Sequence, residues 1–194
     1  MKNVLVVSAH PDDLELSCGG TVAKMISQGA SVTNLIMVGN VPHVKYLDNA
    51  SKVLGYTPLI YSLENPRFAV NSQTISSIDE IVKSIKPDLI ITHWEEDWHQ
   101  DHRACNEIVS IIRRNQPVDV WHMNSYPYNL KYKNFNPNLY VDITDFAFQK
   151  YDAIAEYSNV SEWAEQVASH DSWRGGFINT TAAEVFSVDS MVLY

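Results

Sequence analysis

Two rhythms of apolar positions alternate along the chain. Short apolar-rich stretches of strand length recur at residues 4–7, 31–38, 59–61, 89–91 and 118–123, the first of them continuous. The first reads Val4-Leu5-Val6-Val7 and the fourth Leu89-Ile90-Ile91. Unbroken apolar runs of strand length suit a parallel sheet covered on both faces. Between them the spacing changes to three and four residues. Val22, Ala23, Met25 and Ile26 predict a helix over 21–28 that Gly29 stops. A weaker pattern over 43–54 ends near Gly55. Ile75, Ile78, Val82 and Ile85 mark an amphipathic helix before Pro87, and Ala104, Cys105, Ile108, Ile111 and Ile112 mark another.

The second half is less regular. Residues 124–138 are rich in Asn, Tyr, Lys and Pro and read as a long loop, a common setting for binding. Residues 139–143 predict a short strand, 146–169 a helix with a break near Ser158-Asn159, and 185–194 a final strand. No repeat or linker interrupts the pattern. The alternation predicts an α/β fold, a Rossmann-like three-layer sandwich with a mainly parallel sheet, in a single domain over residues 1–194. Ligands in such folds bind at the carboxyl ends of the strands.

Two strand ends carry the candidate chemistry. The first strand runs into His10-Pro11-Asp12-Asp13, and the strand at 89–91 leads through Thr92-His93 to His99-Gln100-Asp101-His102. Imidazole and carboxylate together suit zinc, and also iron or manganese. Pro11 fixes φ and shapes a turn in which His10 and Asp13 can approach one point. His99 and His102 are three apart, so they share a face if they open a helix. The bland alternative is that Asp12 or Asp13 caps a helix. Gly19-Gly20 admits two readings, an anion held by backbone N–H groups or close packing of a turn, and packing is favoured. The G-x-G-x-x-G dinucleotide spacing is absent.

Composition narrows the classes. Of 194 residues 45% are hydrophobic and 19% charged, which excludes a disordered chain. The formal net charge of −9 disfavours nucleic acid and anionic membrane surfaces. The apolar runs are too short to cross a membrane. The first run meets His10-Pro11-Asp12-Asp13 before it reaches the length of a secretory h-region, so the expected setting is cytoplasmic. Cys18 and Cys105 lack metal or disulfide-scaffold spacing and are expected to be buried, reduced thiols.

The stretch Ala9-His10-Pro11-Asp12-Asp13-Leu14-Glu15-Leu16-Ser17-Cys18-Gly19-Gly20-Thr21 resembles the first signature of the LmbE-like, or PIG-L, deacetylases. His99-Gln100-Asp101-His102-Arg103-Ala104 resembles the second, and Lys86 to His93 the strand leading into it. The resemblance implies a zinc-dependent hydrolase that removes acetyl from an N-acetyl amino sugar or its glycoconjugate. Carried over by position, His10, Asp13 and His102 match the metal ligands and Asp12 the general base. His99 matches the histidine that answers the oxyanion or protonates the leaving group, and Asp101 an acidic residue that tunes it. The carboxylates around His99 are expected to keep part of it protonated near neutral pH. Arg67, in Asn65-Pro66-Arg67-Phe68, is a candidate for contact with substrate, with an exposed ion pair as the alternative. Glu184 lies in a short late pattern and is a candidate for steadying the metal loop. Leu14 and Gln100 depart from residues common in the family without replacing a proposed ligand. Hydrolysis of another small amide, or a sugar- or nucleotide-binding module without catalysis, are the competing functions. The oligomeric state is not legible.

Overall fold

The computed structural model describes residues 2–38, 41–62, 68–116, 118–125, 135–158 and 160–188, with 41–43 described in backbone only. Strand and helix alternate as β1 (Asn3–Ser8), α1 (Asp13–Ser27), β2 (Ser31–Ile36), α2 (Val41–Leu54) and β3 (Thr57–Ile60). The chain continues through α3 (Ser72–Ile85), β4 (Leu89–His93), α4 (Gln100–Arg113) and β5 (Asp119–Met123). The last elements are β6 (Leu139–Asp142), α5 (Ala147–Ala155), α6 (Ala164–Gly175) and β7 (Ala183–Val188).

The sheet order is β3-β2-β1-β4-β5-β7-β6. The first five of these strands are mutually parallel, and β7 runs antiparallel to both of its neighbours. Successive residues of β1 point to opposite faces, because strand side chains alternate. Val4 and Val6 enter the core under α1, α2 and α5, whereas Leu5 and Val7 enter the core under α3 and α4. Chain order reverses between β1 and β4, so the crevice outside their carboxyl ends is the topological switch point. Both histidine–aspartate motifs lie there.

The predicted three-layer, mainly parallel α/β architecture is the one observed. Several local expectations change. The first helix starts at Asp13 rather than near Thr21, and it is kinked at Cys18, where φ is −146° and ψ 19°. The kink exposes a fresh set of helix N–H groups. Glu184 on β7 takes two of them, accepting from Gly20 N at 2.9 Å and Thr21 N at 2.7 Å. The backbone amides beside the paired glycines therefore do hold an anion, and it is the protein's own carboxylate. Packing also requires a glycine at position 20, since an added Cβ would lie 2.7–3.0 Å from Ile143 side-chain carbons. Lys150 of α5 offsets the buried charge, with Nζ 2.9 Å from Glu184 and 2.7 Å from Asp171. Glu184 thus steadies α1 from its middle, and the turn at residues 10–13 is held by Tyr157 instead.

The helix expected over 146–169 divides into α5 and α6, with Tyr157 and Val160 buried between them. The final strand begins at Ala183, two residues earlier than expected, and residues 189–194 lie outside the described residues. Most of the predicted loop at 124–138 also lies outside them. Cys18 and Cys105 are buried free thiols, as expected. Among the described residues no helix is long and apolar enough to cross a membrane.

Candidate metal centre

β1 delivers its last residues to the switch point, and the chain turns through His10-Pro11-Asp12-Asp13 straight into α1. Asp12 occupies the N-cap position but makes no side-chain capping hydrogen bond. Asp13 does not cap the helix either. Its Oδ2 accepts from the His10 backbone N–H at 2.7 Å, which closes the loop on itself. The capping explanation of the paired aspartates therefore fails on both residues. Tyr157, at the end of α5, donates its hydroxyl to the Pro11 carbonyl at 2.6 Å and pins the same turn from below.

α4 supplies the second motif. His99 is its N-cap, with Nδ1 accepting from the Asp101 N–H at 3.2 Å. One turn along, His102 projects inward and is nearly inaccessible. The imidazole centroids of His10, His99 and His102 lie 4.8–5.4 Å apart. Asp13 joins them, with Oδ1 3.3 Å from His102 Nε2 and Oδ2 3.5 Å from His10 Nδ1. His99, His10 and His102 can each offer one donor atom within 4.8 Å of the others, and so can Asp13, His93 and His102.

Charge around His102 is strongly negative. Burial lowers its pKa, but Asp13 and Asp97 outweigh burial and push it up to about 10. Burial alone would raise Asp13, yet the His102, His93 and His10 rings hold it well below the usual carboxylate range. His10 is likewise raised, because Asp13 outweighs the cost of burial. Asp13 and Asp97 thus favour positive charge among these buried donors, a demand that a divalent cation would meet. Imidazole nitrogen and carboxylate oxygen are also the donors that zinc, iron and manganese accept. The residue set fits such an ion.

The acidic run Glu95-Glu96-Asp97 reads in sequence as a solvated loop in which Asp97 could orient His99 or cap the helix, and Glu95 and Glu96 are exposed. Asp97 is buried instead. Its Oδ1 accepts from the His99 N–H at 2.8 Å and faces His102 Nδ1 at 3.1 Å. Burial would raise its pKa, but His102 pulls it down to about 2. A carboxylate behind a histidine is the arrangement that fixes the ring tautomer of a metal ligand. The Arg103 guanidinium bonds the Asp97 and Trp98 carbonyls and holds this turn in place.

Two expectations about side-chain roles change. Asp101 Oδ2 lies 3.3 Å from His10 Nε2 and 3.9 Å from His99 Nδ1, so its carboxylate serves His10 first. His99 is not held protonated. Burial, then the neighbouring His102 and His10 rings, lower its pKa. With Nδ1 accepting a backbone N–H, the neutral ring carries its proton on Nε2.

His93 ends β4 fully buried and stacks on His102, with centroids 3.8 Å apart and planes 11° apart. Burial and His102 lower its pKa to about 4. His122 bonds Asn106 away from the cluster and is structural. Trp94 packs edge-on against Phe135, and Trp98 is exposed. Arg67 lies outside the described residues. Sequence reasoning offered Asp97 as a group that could orient His99, which its hydrogen bond from the His99 N–H bears out, but it missed Ser125 and the approach of Asp97 to His102.

The histidine–aspartate cluster thus occupies the switch point of a mainly parallel sheet, the position where α/β domains bind their ligands. The chain belongs to the PIG-L family, GlcNAc-PI de-N-acetylase by description, whose profile matches residues 5–112. It is therefore a member of a deacetylase family. An uncharacterised deacetylase, YaiS of Escherichia coli K12, is 29% identical over 130 residues, covering 60% of this chain and 70% of that protein. The fold is shared with the N,N'-diacetylchitobiose deacetylase of Pyrococcus horikoshii, at TM-score 0.80 and 18% identity over 96% of this chain and 83% of that one. It is also shared with GalB, the 4-carboxy-2-hydroxymuconate hydratase of Pseudomonas putida KT2440, at TM-score 0.85 and 16% identity over 100% of this chain and 98% of that one.

Proposed function

We propose that this protein is a divalent-metal-dependent hydrolase that removes acetyl from an N-acetyl amino sugar or its glycoconjugate, releasing acetate and a free amine. The observation that carries this reading is the clustering of His10 and His102 against the two oxygens of Asp13, within two overlapping donor sets that share His102, beside an Asp12 that has no capping role. Membership of the PIG-L family supports the choice of bond and of substrate class. His10, Asp13 and His102 would hold the ion, zinc first, with iron or manganese as alternatives. When bound, such an ion supplies Lewis-acid polarisation of the acyl carbonyl.

The remaining chemistry belongs to the chain. Asp12 stands at the mouth of the loop, half-buried, and takes the proton of the attacking water. His99 offers its Nε2–H to the oxygen on which negative charge develops, a contact commonly worth about 3–4 kcal/mol in the transition state. As a neutral donor it performs this role without having to be imidazolium. Asp12, now protonated, returns the proton to the amine nitrogen as the C–N bond breaks. Arg67 is proposed as a substrate contact. The buried reduced thiols suit a cytoplasmic setting.

The test is metal analysis of the purified protein coupled to an acetate-release screen over N-acetyl sugars. About one equivalent of divalent ion per chain is expected, lost in His102→Ala. A full equivalent retained by that variant with unchanged affinity would sink the ligand assignment. The likeness to a hydratase fold gives a specific competitor, water addition to a carbon–carbon double bond. Hydration of an unsaturated acid without acetate release from any N-acetyl sugar would favour that second reading.

A further inference from the structure

Behind His102 lies a chain of polar contacts that the proposed reaction does not use. It starts at the Ala9 backbone N–H, which donates to His93 Nε2 at 3.1 Å. His93 Nδ1 lies 2.8 Å from the hydroxyl oxygen of Ser125. Ser125, just past the end of β5, is 2% exposed. Its side chain is also hydrogen-bonded to Asp97. Asp97 in turn takes the His99 N–H and faces His102 Nδ1.

The directions of these bonds follow from the first one. A neutral imidazole has one acceptor nitrogen and one donor nitrogen. The Ala9 N–H occupies Nε2 as acceptor, so the His93 proton sits on Nδ1 and points at Ser125. The Ser125 oxygen then accepts, and its own proton is turned toward the Asp97 carboxylate. Asp97 has acceptor capacity left for His102 Nδ1–H. That leaves Nε2 of His102 as the coordinating nitrogen, on the side of Asp13.

We propose that Ser125 is a positioning residue for the metal centre, its hydroxyl relaying hydrogen-bond direction from His93 to Asp97 so that His102 is held with Nε2 toward Asp13. The proposal rests on the reading of His102 as a ligand. Ser125 touches no reacting atom. It acts through Asp97, as outer-shell groups do when they fix a ligand's tautomer. Asp13 Oδ2 also approaches His93 Nε2, at 3.2 Å. If His93 donated to Asp13 instead, the relay would run in reverse and Ser125 would have no bearing on His102.

The experiment uses the full chain loaded with zinc. Zinc affinity is measured by competition with a chromogenic chelator for the parent, Ser125→Ala, Ser125→Thr and His102→Ala. Loss of an outer-shell partner typically costs 10–100-fold in metal affinity, so Ser125→Ala is expected to bind at least about 10-fold more weakly. Ser125→Thr keeps the hydroxyl and is expected to stay within about three-fold of the parent. In parallel, long-range proton–nitrogen correlation spectra of nitrogen-15-histidine-labelled parent report which ring nitrogen carries the proton. They are expected to show His93 and His102 both protonated on Nδ1. Affinity of Ser125→Ala within two-fold of the parent, while His102→Ala loses zinc, overturns the proposal alone. A His93 protonated on Nε2 does the same, even should Ser125→Ala fail to fold. Undiminished zinc binding by His102→Ala overturns the ligand reading, and this proposal with it.

Discussion

Replacing Glu15 with glutamine should change how stability responds to pH. The side chain is fully buried beneath the metal loop. Its Oε1 receives the Tyr56 hydroxyl, with the Tyr157 hydroxyl 3.5 Å away. Its Oε2 is buried and has no hydrogen-bond partner among the described residues. Burial raises the carboxyl, the Tyr56 bond opposes this in part, and Asp12 and Asp13 add to it, so the pKa moves from 4.5 to about 8. The folded protein therefore keeps a proton that the unfolded chain has released. Stability from this group is complete below about pH 4.5 and is lost as pH rises through about 8. At about 1.4 kcal/mol per pH unit, that window corresponds to about 5 kcal/mol. Glutamine keeps the acceptor for Tyr56 and cannot ionise, but leaves a buried amide N–H unpaired at a cost of about 1–3 kcal/mol. Urea denaturation of chelator-treated protein from pH 5 to 9 should find Glu15→Gln less stable at the acid end. The gap should close or invert at the alkaline end. A gap that stays constant across the range would refute the buried, proton-holding carboxyl.

Three further outcomes are expected. Lys150→Met should destabilise by about 3–5 kcal/mol in the same assay, because it strands Glu184 and Asp171 in the interior without their cation; a change under 1 kcal/mol would show that the helix amides suffice for Glu184. Gly20→Ala should cost about 1–3 kcal/mol through the clash with Ile143, readable as a lower melting temperature. Asp12→Asn should retain the metal and lose at least about 100-fold in kcat on any substrate the screen identifies, since an amide cannot take up the water's proton; parental turnover would require another base.

The parts of this fold legible in the sequence are those decided locally. Val4 to Val7 and Leu89 to Ile91 are buried on both faces, so their unbroken apolar runs announced central strands. His10, Asp12 and Asp13 stood out because Pro11 and the adjacent strand end confine them to one turn. What escaped was set by distant partners. The helix start was placed after Gly19-Gly20, where a second amino end does lie; the turn from Asp13 that precedes it joins the helix through a kink held by Glu184, 164 residues beyond Gly20. Asp97 read first as one more charge in a solvated loop, with orienting His99 as its other reading, and its approach to the distant His102 ring could not be seen in the local pattern. The protonation expected of His99 followed from the nearby Asp101. The sequence could not reveal that Nδ1 would be taken by a backbone N–H, or that two other imidazoles would crowd the ring. The insertion of β7 between β5 and β6 is likewise a matter of strand order, to which local periodicity is blind.

The kink in α1 has a consequence for the order in which the molecule can assemble. One helix carries two amino ends, the first opening onto the metal loop and the second closed by a carboxylate from the final strand. The turn above it is pinned by Tyr157 and the carboxylate below is neutralised by Lys150, both contributed late in the chain. Residues 5–112, which carry every proposed ligand, are therefore not a self-sufficient unit. During synthesis, β1, β4 and both motifs emerge well before the residues that brace them, and α1 waits half-capped until position 184 has left the ribosome. An ion arriving earlier would meet the proposed ligands on an unbraced loop, so the candidate site is among the last parts of the protein to be finished.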